Sequence, residues 1–304
     1  MKIGRRKLKM QNIILFILAL LLTVGGLTYY TIYRTVEKSV SHMYEPLDRD
    51  SKSQNVVNKH DPISILLLGV DERPGDKGRT DSMIVLTVNP ITKKSTMVSI
   101  PRDTRVFMQS KNTNIKINSA YTYEGIEGSV KTVEQFLNIP IHYYIKVNME
   151  GFKDIVDAIG GITVNNEFPF TLEGVHIPKG KQHIDGKVAL KYARMRKEDP
   201  RGDLGRQQRQ REIINKMIHE GTKLNSLKNY QGILAALEDN IQTNLTMDKM
   251  IDIQNSYKEA VKNIKQLEIK GEDKRIDNLW YHVVTDETRN QLSKKLRKQL
   301  NLKS

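Results

Sequence analysis

The sequence predicts an α/β protein: an α/β/α sandwich around a central mixed sheet, preceded by one N-terminal transmembrane helix. Three observations carry this. Short apolar runs such as Ile63-Ser64-Ile65-Leu66-Leu67-Leu68-Gly69-Val70 have the length and composition of buried strands. They interleave with longer segments of helical period, the pattern of a sheet covered by helices. Upstream, Ile13 to Tyr30 is apolar except for Thr23, Gly25, Gly26 and Thr28, enough to cross a bilayer.

The chain has 304 residues, a formal net charge of +14 and no cysteine. That length buries a full core. The missing cysteine excludes disulfides, thiolate catalysis and zinc–thiolate sites. The positive charge favours an acidic partner: nucleic acid, anionic lipid or a phosphate-rich polymer.

Lys2, Arg5, Arg6, Lys7 and Lys9 precede the apolar run, which places the N-terminus in the cytoplasm. No small-x-small cleavage site follows, and Tyr29, Tyr30 and Tyr33 resemble an interfacial belt. The expected order is a cytoplasmic tail (1–11), a signal-anchor (12–33), an extracellular stalk (34–61) and one extracellular domain (62–304). A domain outside the cell weighs against nucleic acid as its partner.

In the domain, strands are expected at Ile63–Val70, Met83–Val88 and Thr96–Ile100, with a loop over 71–81 and Pro101-Arg102-Asp103 after the third. Helices follow from Asn118 and over Ser129–Leu137, then a strand at Tyr143–Val147. The next helix, Glu150–Ile159, is stopped by Gly160-Gly161, and Ile162–Val164 is strand-like. One helix starts near Asp185 and runs into the arginine-rich segment that begins at Tyr192. Another, N-capped by Asp203, ends near Gly221. Tyr230–Glu238, Met247–Asn263 and Glu287–Leu300 read as helices, Leu267–Ile269 and Tyr281–Val284 as strands.

If the first three strands form an antiparallel meander, Asp71, Asp81 and Arg102 meet at one sheet edge. Two carboxylates and an arginine there can hold a hard divalent cation beside an anion; a solvated turn is the plainer reading of the two aspartates. The run from Tyr192 to Arg211 is dense in arginine. In an extended stretch Arg194 and Arg196 face the same way. At 100° per residue the apolar stripe Ile213, Ile214, Met217, Ile218 projects back onto Arg206, Gln207 and Gln210. Arg209 falls at its flank, while Gln208 and Glu212 point away. Guanidinium groups turned inward call for an anion, and their planar fork suits phosphate; a solvated basic surface is the alternative. No G-x-S-x-G elbow, Walker spacing or H-E-x-x-H motif occurs.

Ile65–Asp71, Arg79-Thr80-Asp81-Ser82-Met83, Ser99–Thr104, Lys116–Tyr121 and the stretch from Tyr192 to Gln210 together resemble the LytR–CpsA–Psr family. The resemblance covers nearly the whole chain. It implies a phosphotransferase that moves teichoic acid or a related anionic glycopolymer from an undecaprenyl pyrophosphate carrier to N-acetylmuramic acid of peptidoglycan. It further implies magnesium (or manganese) at Asp71 and Asp81, and a pyrophosphate site of Arg79, Arg102, Arg194, Arg196, Arg206 and Gln210. Asp81, Arg102, Arg194 and Arg196 would carry the catalysis. The family fold encloses an apolar tunnel for the prenyl chain, whose lining is not legible in the sequence. The rival expectations are a membrane-tethered nucleic-acid-binding regulator and a non-catalytic binder of anionic wall polymer.

Overall fold

Six strands form the central sheet of the computed structural model, which describes residues 30–48, 60–73, 76–221 and 237–303 together with 23, 26, 27, 50 and 58. They are β1 (Ile63–Arg73), β2 (Asp76–Asn89), β3 (Lys94–Ser99), β6 (Tyr143–Asn148), β11 (Ile241–Thr243) and β12 (Ile264–Glu268), in the order β11-β6-β1-β2-β3-β12. The β1–β2–β3 meander is antiparallel, as its short apolar runs and turn residues require. β6 joins β1 in parallel and β12 joins β3 in parallel, so the sheet is mixed.

The pleat divides each strand between two environments. Leu66, Leu68 and Val70 of β1, with Met83 and Val85 of β2 and Tyr144 of β6, pack against α1 (Ser119–Leu137) and α6 (Asp286–Gln299) through Val130, Val133, Leu137, Leu292 and Leu296. Ile63 and Ile65, with Ile84, Leu86 and Tyr143, face the opposite way. On that side lie α2 (Met149–Ala158), α3 (Gly186–Arg194), α4 (Asp203–Gly221) and α5 (Met247–Ser256). Short hairpins pair β4 (Arg105–Met108) with β5 (Thr113–Lys116), β7 (Ile162–Asn166) with β10 (Gly180–Ile184), β8 (Phe170–Leu172) with β9 (Val175–Ile177) and β13 (Glu272–Ile276) with β14 (Leu279–Val283).

Helix starts follow their capping residues. Asn148 accepts from Gly151 N at the head of α2, Asp185 from Val188 N at α3, Thr246 from Lys249 N at α5 and Thr285 from Thr288 N at α6. The two helices expected over 118–137 are both present within α1, meeting at a kink at Glu124 and Gly125, whose φ of 62° breaks the helical path, so the second starts earlier than Ser129. Asp203 is not the cap of α4. Gly202, at φ 57°, accepts the bond from Arg206 N, and Asp203 is the first helical residue.

The expected loop over 71–81 is instead a continuation of the β1/β2 hairpin to Arg73 and Asp76. The helix expected over 247–263 stops at Ser256, with turns beyond it. Part of the expected stalk joins the folded body. Residues 30–43 are helical, Tyr44 bridges to Thr243, and Val40, Met43 and Leu47 are buried. The transmembrane run and the helix expected at 230–238 lie largely outside the described residues. No helix among the described residues is long and apolar enough to cross a membrane.

Candidate active site

Regular pairing along the hairpin breaks twice near the sheet edge, between Gly69 and Val70 and again between Asp71 and Arg73. Gly69 pairs with Ser82 and Val70 with Thr80, leaving Asp81 as the extra residue of a β-bulge. A regular strand would send Asp81 and Ser82 to opposite faces, but with the bulge both line the same cavity. Gly69 opposite keeps the approach open: a Cβ there would stand 3.1 Å from the Ser82 Cβ. Asp71 of β1 lines the cavity too, as does Arg102 just beyond β3.

The cavity has a volume of about 1470 Å³ and lies between the sheet and helices α2 to α5. Its two ends differ in chemistry. At one end stand Asp71, Asp81, Arg102, Arg194, Arg196, Arg206 and Gln210. Towards the other, Ile65, Leu67 and Leu86 of the sheet meet Ile214, Met217 and Ile218 of α4 and Met250 and Ile253 of α5. The projected stripe of α4 holds for Arg206, Gln210, Ile214, Met217 and Ile218, which face one space, whereas Gln207 bonds Asp203 and Ile213 packs into a separate core cluster.

Arg102 Nη1 donates to Asp81 Oδ1 at 2.7 Å, and Lys116 Nζ holds the neighbouring Asp103 Oδ1 at 2.7 Å. Burial pulls the Arg102 pKa down, but the Asp81 hydrogen bond and the charges of Asp81, Asp103 and Asp203 outweigh it and raise it. Arg206 moves the other way. Burial lowers its pKa most and the charges of Arg102 and Arg196 add to that, with only partial relief from Asp203 and Asp81. Arginine keeps its proton in either case. The directions identify Arg206 as a desolvated cation crowded by other cations. Its Nη2 reaches Asp203 Oδ1 at 2.7 Å, yet its buried Nε has no hydrogen-bond partner. A multidentate anion would satisfy it.

Arg194 and Arg196 meet in the cavity by a different route from the extended stretch expected. Arg194 is the last residue of α3, Met195 turns extended as the C-cap and is buried, and Arg196 follows. Arg194 Nη1 contacts Glu173 Oε1 at 3.4 Å, and Lys191 holds the other carboxylate oxygen at 2.6 Å. The Lys191 hydrogen bond and the Lys191 and Arg194 charges keep Glu173 below its usual carboxylate range.

Arg209 belongs to the frame. It is buried, donates from Nε to Tyr192 O at 3.0 Å and from Nη2 to Met195 O, and pairs with the fully buried Asp199. It thereby clamps the loop that presents Arg194 and Arg196. Arg211, also buried, ties α4 to the sheet through Ser99, Gln266 and Glu268. Arg79 is exposed opposite Asp71 in the hairpin register and is not among the residues lining the cavity. Sequence reasoning did not find Ser82 and Asn148 of the wall or Asp203 as counter-ion; only the bulge, invisible in residue types, brings Ser82 in.

The carboxylates also bear on a metal. Among the described residues no group of three or more histidine, aspartate or glutamate side chains is placed to hold one. Two carboxylates at the edge of an anion site still fit magnesium, which takes one or two and completes its shell with water and phosphate oxygens.

A family model for the LytR_cpsA_psr family matches residues 29–298. The polyisoprenyl-teichoic acid–peptidoglycan teichoic acid transferase TagU of Bacillus subtilis (strain 168) is 44% identical over 303 residues, 98% of this chain and 99% of that protein. A crystal structure from Enterococcus faecalis described as the transcriptional regulator EF0465 superposes with a TM-score of 0.74 at 41% identity, over 80% of this chain and 89% of that one. A structure described as TagT bound to LI-WTA gives 0.72 at 26% identity, over 85% and 100%. By family model, sequence and fold alike, this chain belongs to the LytR_cpsA_psr family.

Proposed function

We propose that this protein is a polyisoprenyl-teichoic acid–peptidoglycan teichoic acid transferase, anchored by its N-terminal helix with the domain outside the cell. One observation carries the reading: a single cavity joins a cluster of guanidinium groups and two aspartates to a long apolar lining. A polyprenyl pyrophosphate has the matching form, with a doubly charged head and a hydrocarbon tail. The name of the B. subtilis relative supports teichoic acid and peptidoglycan as donor and acceptor.

In this reading the apolar end holds the prenyl chain, and Arg102, Arg194, Arg196, Arg206 and Gln210 hold the pyrophosphate, with Arg79 on the hairpin outside the cavity wall. The C6 hydroxyl of N-acetylmuramic acid attacks the phosphorus nearer the sugar. A new O–P bond forms as the hydroxyl proton passes to water, the bond from that phosphorus to the bridging oxygen breaks, and polyprenyl phosphate leaves with the electron pair. The arginines neutralise the charge that develops on the leaving phosphate. Magnesium, held by Asp71 and Asp81, would supply further charge neutralisation at the two phosphates. Asp81, already fixed through Oδ1 by Arg102, is thereby a positioned group of the transfer.

The description of the E. faecalis structure favours a regulator that binds nucleic acid. The site arginines argue against it, because they stand at one end of a cavity whose remaining walls are mainly apolar, a shape that suits a lipid-linked phosphate and not a duplex. A purified transfer assay decides. With polyprenyl-pyrophosphate-linked polymer and peptidoglycan, polyprenyl phosphate release should accompany covalent attachment and stop when magnesium is chelated. Retention of polymer without release would instead show a binder.

A further inference from the structure

The cavity accounts for a lipid-linked donor, while a long acceptor strand that brings one hydroxyl to the phosphate end needs a surface beside the mouth for its neighbouring sugars. We propose that the β13/β14 hairpin is that surface: a platform on which Trp280 packs against a sugar ring of the acceptor glycan strand. The proposal rests on the transferase reading above.

Topology puts the hairpin at the right edge. β12 runs parallel to β3 with Glu268 opposite Ser99, so the chain leaves both strands at the sheet end where Arg102 stands. The hairpin is then fastened to the arginine's own turn. His282 N donates to Asp103 O at 2.8 Å, and His282 bridges to Thr104. Tyr281 is buried beneath Arg105, whose guanidinium lies 5.9 Å from its ring centre. The turn Asp277-Asn278 has both φ angles positive, 48° and 63°, the tight reversal a two-residue hairpin needs. The arm is fastened at Tyr281 and His282, yet it exposes Trp280 at 60% on one face and Leu279 at 53% on the other.

Chemistry selects the occupant. A flat indole presents a large apolar face at little entropic cost, and the C–H faces of a pyranose fit it. Arg275, opposite Trp280 in the register, and Asn278 at the turn can bond sugar hydroxyl and acetamido groups. The arm from Glu272 to Val283 carries two Lys/Arg cations against three carboxylates, so it lacks the basic patch that an anionic teichoic acid or an anionic lipid surface would select.

Trp280 is the chain's one tryptophan, so its emission reports on this arm alone. The test titrates the full-length protein with soluble glycan strands of alternating N-acetylglucosamine and N-acetylmuramic acid. A saturable blue shift is expected. In the transfer assay Trp280→Ala should raise the acceptor KM about tenfold while kcat and the donor KM stay within about twofold, and Trp280→Phe should recover most of the loss. Unchanged emission with an unchanged acceptor KM, while turnover persists, would overturn the platform and leave the transferase reading standing. A shift with anionic lipid vesicles and none with glycan would also overturn it. A glycan-dependent shift in a protein that shows no transfer would uphold the platform and remove the transferase reading.

Discussion

The two faces of the central sheet are built from the same strands and nearly the same residue types, yet they end in opposite states. Tyr143 and Tyr144 are neighbours on β6. Tyr144 packs into the closed core under α1 and α6 and donates to Glu45 O at 2.6 Å, while Tyr143 joins the cluster on the cavity side. On β1 the same division separates Leu66 from Leu67: the first is fully buried, the second lines the cavity. What differs is the covering layer. Two helices packed directly on the first face close it. On the second, α4 brings guanidinium groups to one end and the helices stand off the sheet. A hydrocarbon lining without a hydrocarbon filling is a site, and its charged end says for what.

The comparison is sharpest where stability and activity should separate. Arg209 and Arg206 lie one turn apart on α4 but on different sides of this division. Arg209→Ala leaves the buried Asp199 Oδ2 without its partner, with only Arg201 remaining at Oδ1, so it should cost about 3–5 kcal/mol of unfolding free energy, read by denaturant titration. Leu66→Ala on the closed face should cost about 2–5 kcal/mol by cavity formation, with activity per folded molecule retained. Arg206→Ala and Arg102→Ala should do the reverse. Each should slow transfer about a hundredfold, about 3 kcal/mol of transition-state stabilisation, with the thermal midpoint nearly unchanged. A loss of stability equal to that of Arg209→Ala would place Arg206 in the frame instead of the site.

The smallest expected effect is a pH dependence. Burial, with the charges of Tyr257, Asp50 and Asp252, pushes the Tyr143 phenol up to about 12. The folded value lies above the unfolded value of about 10, so the neutral phenol's contribution is complete below that pH and is lost as pH rises towards 12. Melting scans should show Tyr143→Phe losing less stability than the parent chain across that window.

Much of this was legible beforehand. The antiparallel meander and the meeting of Asp71, Asp81 and Arg102 follow from short apolar runs and strand direction. The inward register of Arg206 and Gln210 follows from helical period. Other features depend on tertiary contacts that residue types do not encode. The Asp81 bulge adds one residue to one strand without a composition signal. Arg209, at the flank of the inward stripe, could not be told from a phosphate ligand because its partner Asp199 is ten residues away in sequence and buried. The cavity wall was hidden for the plainest reason: Leu67 and Leu86 read as core whether or not anything packs against them.

The account's central claim is that the open face holds a prenyl chain with its pyrophosphate against the arginines. Native mass spectrometry of the full-length protein with polyprenyl pyrophosphate tests it directly. The parent chain should retain the lipid, Leu86→Trp should abolish retention by filling the apolar end, and Arg206→Ala should weaken it. Retention unaltered by both substitutions would contradict the claim.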